Sequence, residues 1–416
     1  MKHHAPRPAL LLLLAANLVA QPAGYNYDEA KVPKFELPNP LITEDGSKVA
    51  DAKTWRDLRR PEIFGLFQKH VYGQSPKPPA TTHYEVFDDT PDQREGKPRR
   101  KQVRISLTGK KDGPMMDLLL YLPSSGKGPH PVFLTLNFRG NHSISSDPAV
   151  RITQSWVPNE KGIKDHKATE ATRGARANRW DIAQITSRGY ALGTIYCGDI
   201  EPDHSNGRSE GIRAHFPDSY TWSAIGAWAW GLSRGLDYLE KDKDLDASRT
   251  IVMGHSRLGK TSLWAGASDP RFAITISNNS GCGGAALSRR RFGETVKRIN
   301  TSFPHWFVDQ FKKYNDNEDA CPVDQHQLAA LMAPRPLYIA SAVQDRWADP
   351  RGEFLCAKHA APVYELLKAG TFPAKDLPPL NQPVHGAIGY HIRSGKHDVT
   401  PFDWKAYLDF ADKHFQ

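Results

Sequence analysis

Residues 250–260 read TIVMGHSRLGK. An apolar run ends in Gly254-His255-Ser256-Arg257-Leu258-Gly259, and a helix-like pattern follows. A serine on a sharp strand-to-helix turn, with small residues two before and three after it, has the setting of a nucleophile elbow of the G-x-S-x-G type. Its hydroxyl would stand at a helix N-terminus, where backbone N–H groups favour developing negative charge. The same residues satisfy the P-loop pattern through Gly254-x4-Gly259-Lys260-Thr261. A P-loop normally follows the first strand of its sheet, whereas several strand candidates precede this one. Asp199 is the only arguable magnesium partner. The elbow therefore ranks above the P-loop, and a chance motif in a structural turn stands between them until partners are found.

An elbow serine needs an acid and a histidine base, in the chain order Ser, Asp or Glu, His, on loops after later strands. The apolar run Arg335–Ala342 is followed by Val343-Gln344-Asp345-Arg346-Trp347-Ala348-Asp349-Pro350. Asp345, three residues past the strand, is the first candidate acid. Asp349 is the second, with helix capping beside Pro350 as its other role. His385, His391 and His397 are spaced by six. That spacing fits neither one helix face nor a common metal-ligand pattern, so no metal is expected. His397, in Ser394-Gly395-Lys396-His397-Asp398, lies where a base belongs, and His391 reads as a structural strand residue. Arg257, beside the nucleophile, could meet an oxyanion or form a surface ion pair. A second oxyanion donor is expected from Phe138-Arg139-Gly140-Asn141-His142, after an early central strand.

These residues need a scaffold, and the rest of the chain reads as alternating strands and helices. Strand candidates are Thr82–Phe87, Gln102–Leu107, Met116–Leu122 and Pro131–Phe138. The last is nearly all apolar, as a parallel strand buried on both faces would be. Helix Trp180–Arg188 leads to strand Tyr190–Tyr196, and the Trp-rich helix Tyr220–Leu239 to strand Arg249–Met253. Helix Leu258–Ala267 leads to strand Phe272–Ser277. After strand Arg335–Ala342 come helix Phe354–Leu367, a short strand near Ile388–Ile392, and helix Asp403–Phe415. The alternation implies a mostly parallel sheet with helices on both faces. Asp51–Tyr72 has helical spacing that Pro61 should break or kink. Residues 21–50 read as a Pro-rich arm, and residues 140–179 as a long polar loop of the kind that is usually functional. One catalytic domain over 21–416 is expected, without internal repeats.

Residues 1–20 (MKHHAPRPALLLLLAANLVA) have a basic start, a short apolar core and a cleavage point at Ala20-Gln21. They read as a signal peptide too short to span a membrane, so the mature protein is expected outside the cytoplasm, periplasmic or secreted, with no membrane attachment. The formal net charge of +9 favours anionic partners in general. The densest basic stretches, Arg99–Lys101 and Arg289–Arg291, are short and read as solvated faces, so nucleic acid is not expected. Four cysteines (Cys197, Cys282, Cys321, Cys356) lack CxxC spacing; one disulfide and buried free thiols are both open.

On NFRGNHS (137–143), GHSRLGK (254–260), SGCGGAALSRRRFGE (280–294), DRWADPRGEF (345–354) and GYHIRSGKHDVTPFDW (389–404), the chain resembles the bacterial glucuronoyl esterases of carbohydrate esterase family 15. The resemblance implies an α/β-hydrolase fold, a three-layer sandwich, acting without a cofactor on esters of 4-O-methyl-glucuronic acid that join xylan to lignin alcohols. It implies Ser256 as nucleophile, His397 as base, Arg257 on the oxyanion, Lys260 on sugar hydroxyls, and Glu294 and Trp347 on the uronate. The fungal branch carries its triad Glu in a Q-E-S-G context, where this chain has Asn278-Asn279-Ser280-Gly281. The acid must then come from the later loop, which favours Asp345. A monomer is expected. The rival functions are a carbohydrate deacetylase of the same fold and an inactive polysaccharide-binding relative.

Overall fold

The computed structural model describes residues 21–90 and 98–415. The leader reading falls on residues 1–20, outside them. Ten strands form one mixed sheet in the order β1-β2-β3-β5-β4-β6-β7-β8-β10-β9. They are β1 (Tyr84–Thr90), β2 (Arg99–Ser106), β3 (Met115–Leu122), β4 (His130–Asn137), β5 (Ala191–Tyr196), β6 (Leu245–His255), β7 (Ile274–Asn278), β8 (Leu337–Ala342), β9 (Val384–His385) and β10 (Ile388–Arg393). The first three strands are antiparallel, and β3 joins β5 in the same sense. From β5 to β10 every neighbour is parallel. The sheet edge at β9 is antiparallel again.

Alternate side chains of the central strands feed two separate cores, as the period of two in a strand requires. Phe133, Ile251, Met253, Ile274, Ile276 and Tyr338 pack on one face with Trp404, Tyr407 and Phe410 of helix Pro401–Phe415. Leu134, Val252 and Ile339 pack on the other face with Leu236, Leu263 and Ala357, from helices Ala224–Leu239, Arg257–Ser268 and Pro350–Leu366. The result is the three-layer α/β-hydrolase sandwich. Residues 140–179 lie outside the sheet, with only short 3-10 turns in that span.

Two expectations are corrected, and one left open is resolved. Pro61 does not break its helix: residues 52–72 wind continuously, and a wide turn closes from Arg60 N–H to Trp55 O just before the proline. There its missing N–H is not needed. The basic stretches are not solvated faces. Lys101 is buried against Asp242 at 2.7 Å, and Arg99 pairs with Asp89 at 2.6 Å. Arg290 is buried against Asp349 at 2.8 Å, and Arg291 reaches Glu318 at 2.8 Å. These cations tie distant segments together. The choice left open for the cysteines resolves as four buried free thiols. Burial pushes Cys197 and Cys321 up to about 12, so neither is a thiolate at neutral pH.

The Pro-rich arm is pinned along its length. Gly293 N–H donates to Asn26 O at 2.8 Å, Glu29 accepts from Arg290 at 2.7 Å, and His326 reaches Pro38 O at 2.8 Å. Tyr25 sets its ring edge-on to Trp347, with centroids 4.9 Å apart.

Candidate active site

Strand β6 runs straight into helix Arg257–Ser268, and Ser256 occupies the turn at φ 58°, ψ −129°. A non-glycine residue held there is strained, and the surrounding packing must impose it. Gly254 makes the turn possible: a Cβ on it would lie 1.8 Å from Leu258 O. The second glycine, Gly259, stands three residues past the serine rather than the two of a strict G-x-S-x-G. A Cβ on Gly259 would lie 3.0 Å from Ser280 Cβ and 3.1 Å from Gly254 O. Both glycines therefore serve close backbone approach. Ser256 is partly exposed and lines a cavity of about 270 Å³. His255, Arg257, Phe138, Arg139 and His397 line the same cavity.

The loop after β10 carries His397, whose Nδ1 lies 2.6 Å from Asp345 Oδ2, on the loop after β8. The imidazole side chain is 40% exposed and the carboxylate is buried. Asp349 points elsewhere. It caps helix Pro350–Leu366, accepting from Gly352 N–H at 2.9 Å, and pairs with Arg290. Burial pushes its carboxyl upward against the pull of the Arg290 charge. His391 lies on β10, buried, with Nε2 2.9 Å from Asp403 and Nδ1 3.0 Å from the Tyr338 hydroxyl. His385 lies on β9, at the sheet edge. The three histidines thus do not converge on one site: His385 packs on Tyr338 and Phe410, with no hydrogen-bond partner for its Nε2 among the described residues.

Arg257 is not a plain surface ion pair. Its side chain is 18% exposed, and its Nε lies 2.6 Å from Asp203 Oδ2. The guanidinium carbon sits 4.5 Å from the Phe138 ring centroid and 5.7 Å from that of Trp306. The loop after β4 turns its own N–H groups inward: Asn137 Oδ1 accepts from Gly140 N–H at 2.8 Å and Arg139 N–H at 3.3 Å.

Lys260, Glu294 and Trp347 form a second cluster that does not line this cavity. Lys260 is buried and donates through Nζ to Ser280 O. It is therefore held in place. Burial lowers the Lys260 pKa and raises that of Glu294; the opposite charge of each works against both shifts. Glu294 N–H donates to Trp347 O at 3.0 Å, which joins the two loops.

Three further groups had no signal in the sequence reading. Asp203, on the loop after β5, backs Arg257. His255 packs on the base, with its ring centroid 4.5 Å from that of His397 and its Nδ1 2.6 Å from Asn278 Oδ1. Glu353 is buried in helix Pro350–Leu366; its Oε1 accepts from Ser280 N–H at 2.7 Å and Gly281 N–H at 3.0 Å, and its Oε2 from the Ser341 hydroxyl at 2.6 Å. Glu353 and Asp203 act across long sequence separations, so no local spacing marks them.

A family model described as "Glucuronyl esterase, fungi" matches residues 200–368. A carbohydrate esterase of an unknown prokaryotic organism is 54% identical over 409 residues, covering 96% of this chain and 94% of that protein. The solved structure of a promiscuous CE15 esterase from a marine bacterial metagenome is 53% identical. It superimposes with a TM-score of 0.87 and covers 94% of this chain and 100% of that one. The glucuronoyl esterase of Solibacter usitatus is 48% identical with a TM-score of 0.88, over 93% of this chain and 100% of that one. The chain belongs to the glucuronoyl esterases of carbohydrate esterase family 15. It is accordingly a carboxylic ester hydrolase. Within this glucuronoyl esterase, Asn279 stands where the fungal Q-E-S-G context has its Glu. Asn279 sits at φ 45°, and its buried amide has no hydrogen-bond partner among the described residues. No helix among the described residues is long and apolar enough to cross a membrane.

Proposed function

We propose that this chain is an exported serine esterase that hydrolyses esters of glucuronic and 4-O-methyl-glucuronic acid, such as those joining glucuronoxylan to lignin alcohols. Ser256 is the nucleophile, His397 the base and Asp345 the acid. The observation that carries this reading is the contact of 2.6 Å between His397 Nδ1 and Asp345 Oδ2 beside a serine held at φ 58°. With Nδ1–H committed to the carboxylate, Nε2 is left as the acceptor for the Ser256 proton. Attack on the ester carbonyl gives a tetrahedral oxyanion, and the Arg257 guanidinium stabilises it. His397 then returns the proton to the departing alcohol. Water attacks the acyl-enzyme by the same route and releases the free uronate. Lys260, Glu294 and Trp347 hold the sugar. The protein works as one catalytic domain, as a monomer and without a cofactor.

The relatives' names support the uronate as the acyl portion; one of them is a 4-O-methyl-glucuronoyl methylesterase of Wolfiporia cocos, 27% identical over 87% of this chain. One solved relative is described as promiscuous, which keeps a wider range of carbohydrate esters in view. The test compares benzyl glucuronoate with an acetylated xylan ester on the mature enzyme, with Ser256→Ala as the control. Preferred cleavage of the glucuronoate, lost by several orders of magnitude in the control, is the expected result. Preferred deacetylation would overturn the substrate, and an active Ser256→Ala enzyme would overturn the elbow.

A further inference from the structure

We propose that Asp203 is a positioning residue for the oxyanion donor: it fixes the Arg257 guanidinium by its Nε edge so that both Nη groups remain free for the reaction. This deepens the esterase reading above and rests on it. Asp203 lies on the loop after β5, far from Arg257 in sequence, and its side chain is 11% exposed. Both of its oxygens are committed. Oδ1 accepts from His305 Nε2–H at 2.9 Å and Trp306 Nε1–H at 2.7 Å, and Oδ2 forms an ion pair with Arg257, 2.6 Å from Nε, without the alignment of a hydrogen bond from Nε–H. A carboxylate accepts only, so His305 must carry its proton on Nε2. Burial alone would raise the Asp203 carboxyl, but the Arg257 charge and the two ring donors outweigh it and hold it at about 2.

The ring that binds Asp203 also covers its partner. Trp306 donates to Oδ1 and lies 5.7 Å from the guanidinium carbon, and the Phe138 ring centroid lies 4.5 Å from the same carbon. Trp306 is itself fixed by stacking on Phe303, with centroids 3.7 Å apart and planes at 2°. A guanidinium packed on two rings and ion-paired to a fixed anion has lost rotamer freedom before substrate arrives. Among the described residues no protein group accepts from its Nη atoms, and Arg257 lines the cavity that Ser256 faces. Donors set in place beforehand cost no reorganisation when charge develops, which is where such groups gain their effect. A guanidinium released from Asp203 would have to be reordered in each turnover.

The test is a double-mutant cycle on a glucuronoate ester, with kcat and KM measured for Asp203→Asn, Arg257→Ala, the double variant and Asp203→Glu. Asp203→Asn is expected to lower kcat roughly 10–100-fold with KM within about twofold, and to cost almost nothing further once Arg257 is gone. Asp203→Glu restores the charge and should recover part of the loss. Wild-type kcat in Asp203→Asn overturns the proposal. So does an equal fold-loss with and without Arg257, because the effect would then not pass through the guanidinium. If Asp203→Asn does not fold, Trp306→Phe carries the same cycle: the ring stays over Arg257 while one donor to Asp203 is withdrawn. A wild-type enzyme that leaves the glucuronoate uncleaved defeats the esterase reading instead, and the two failures are distinguishable.

Discussion

Two cations follow the elbow serine, and the protein treats them in opposite ways. Arg257 packs against two aromatic rings, with Asp203 ion-paired to it and no acceptor on its Nη groups among the described residues. Lys260, one turn further along the same helix, is fully buried with its ammonium already on the Ser280 carbonyl. Burial disfavours its charge, and Glu294 opposes that shift. A planar, always-charged guanidinium with spare donors suits charge that exists only in the transition state. An ammonium spent on a carbonyl and balanced by a carboxylate suits neutral hydroxyls bound equally in ground and transition states. The first should govern kcat and the second KM.

The acid offers the sharpest way to test the catalytic half of this contrast. Asp345→Asn should lower kcat about 10³–10⁴-fold, because an amide can present the wrong partner to His397 Nδ1. Its thermal transition should stay near that of wild type. Asp349→Asn should do the reverse: it keeps the helix cap but leaves the buried Arg290 without its counter-charge, so Tm falls while kcat holds. Steady-state kinetics and thermal scans of the two variants decide it, and a catalytic loss at Asp349 would move the acid to the other end of the loop.

A smaller effect is expected on the sugar side. Lys260→Ala should raise KM by about tenfold with kcat changed less, and the shift should shrink on esters whose acyl portion lacks sugar hydroxyls. A drop confined to kcat would place Lys260 with Arg257 and dissolve the contrast.

The smallest effect concerns Glu353, which holds the Ser280 and Gly281 backbone on which the Lys260 ammonium rests. Burial pushes Glu353 up to about 8, against roughly 4.3 for an unfolded glutamate. Between those values the folded state holds a proton that the unfolded state has released, so stability falls as pH rises through that window. Glu353→Gln cannot titrate and should flatten the change in Tm between pH 5 and pH 8 by a few degrees. An unchanged slope would show that another group sets it.

Much of the scaffold was legible because the central strands are continuous apolar runs of strand length, as parallel strands buried on both faces are. Pro131–Phe138 and Arg335–Ala342 lie within a residue or two of the observed β4 and β8. Asp345 and His397 were legible because a loop at a strand's C-terminal end is a positional signal, and the two side chains do meet. What failed has a common cause. The burial of Arg289, Arg290 and Lys101 and the roles of Asp203 and Glu353 depend on partners that only folding brings near. A charged residue type argues for solvent until its counter-charge is known. Pro61 misled in another way, since a widened turn ahead of it removed the need for its missing donor.

The central claim is that Arg257 meets charge found only in the transition state, and the kcat of Arg257→Ala on a single glucuronoate ester tests it most directly. The expected result is a loss of about 100–1,000-fold in kcat with KM little changed. An Arg257→Ala enzyme with wild-type kcat and a raised KM would contradict it.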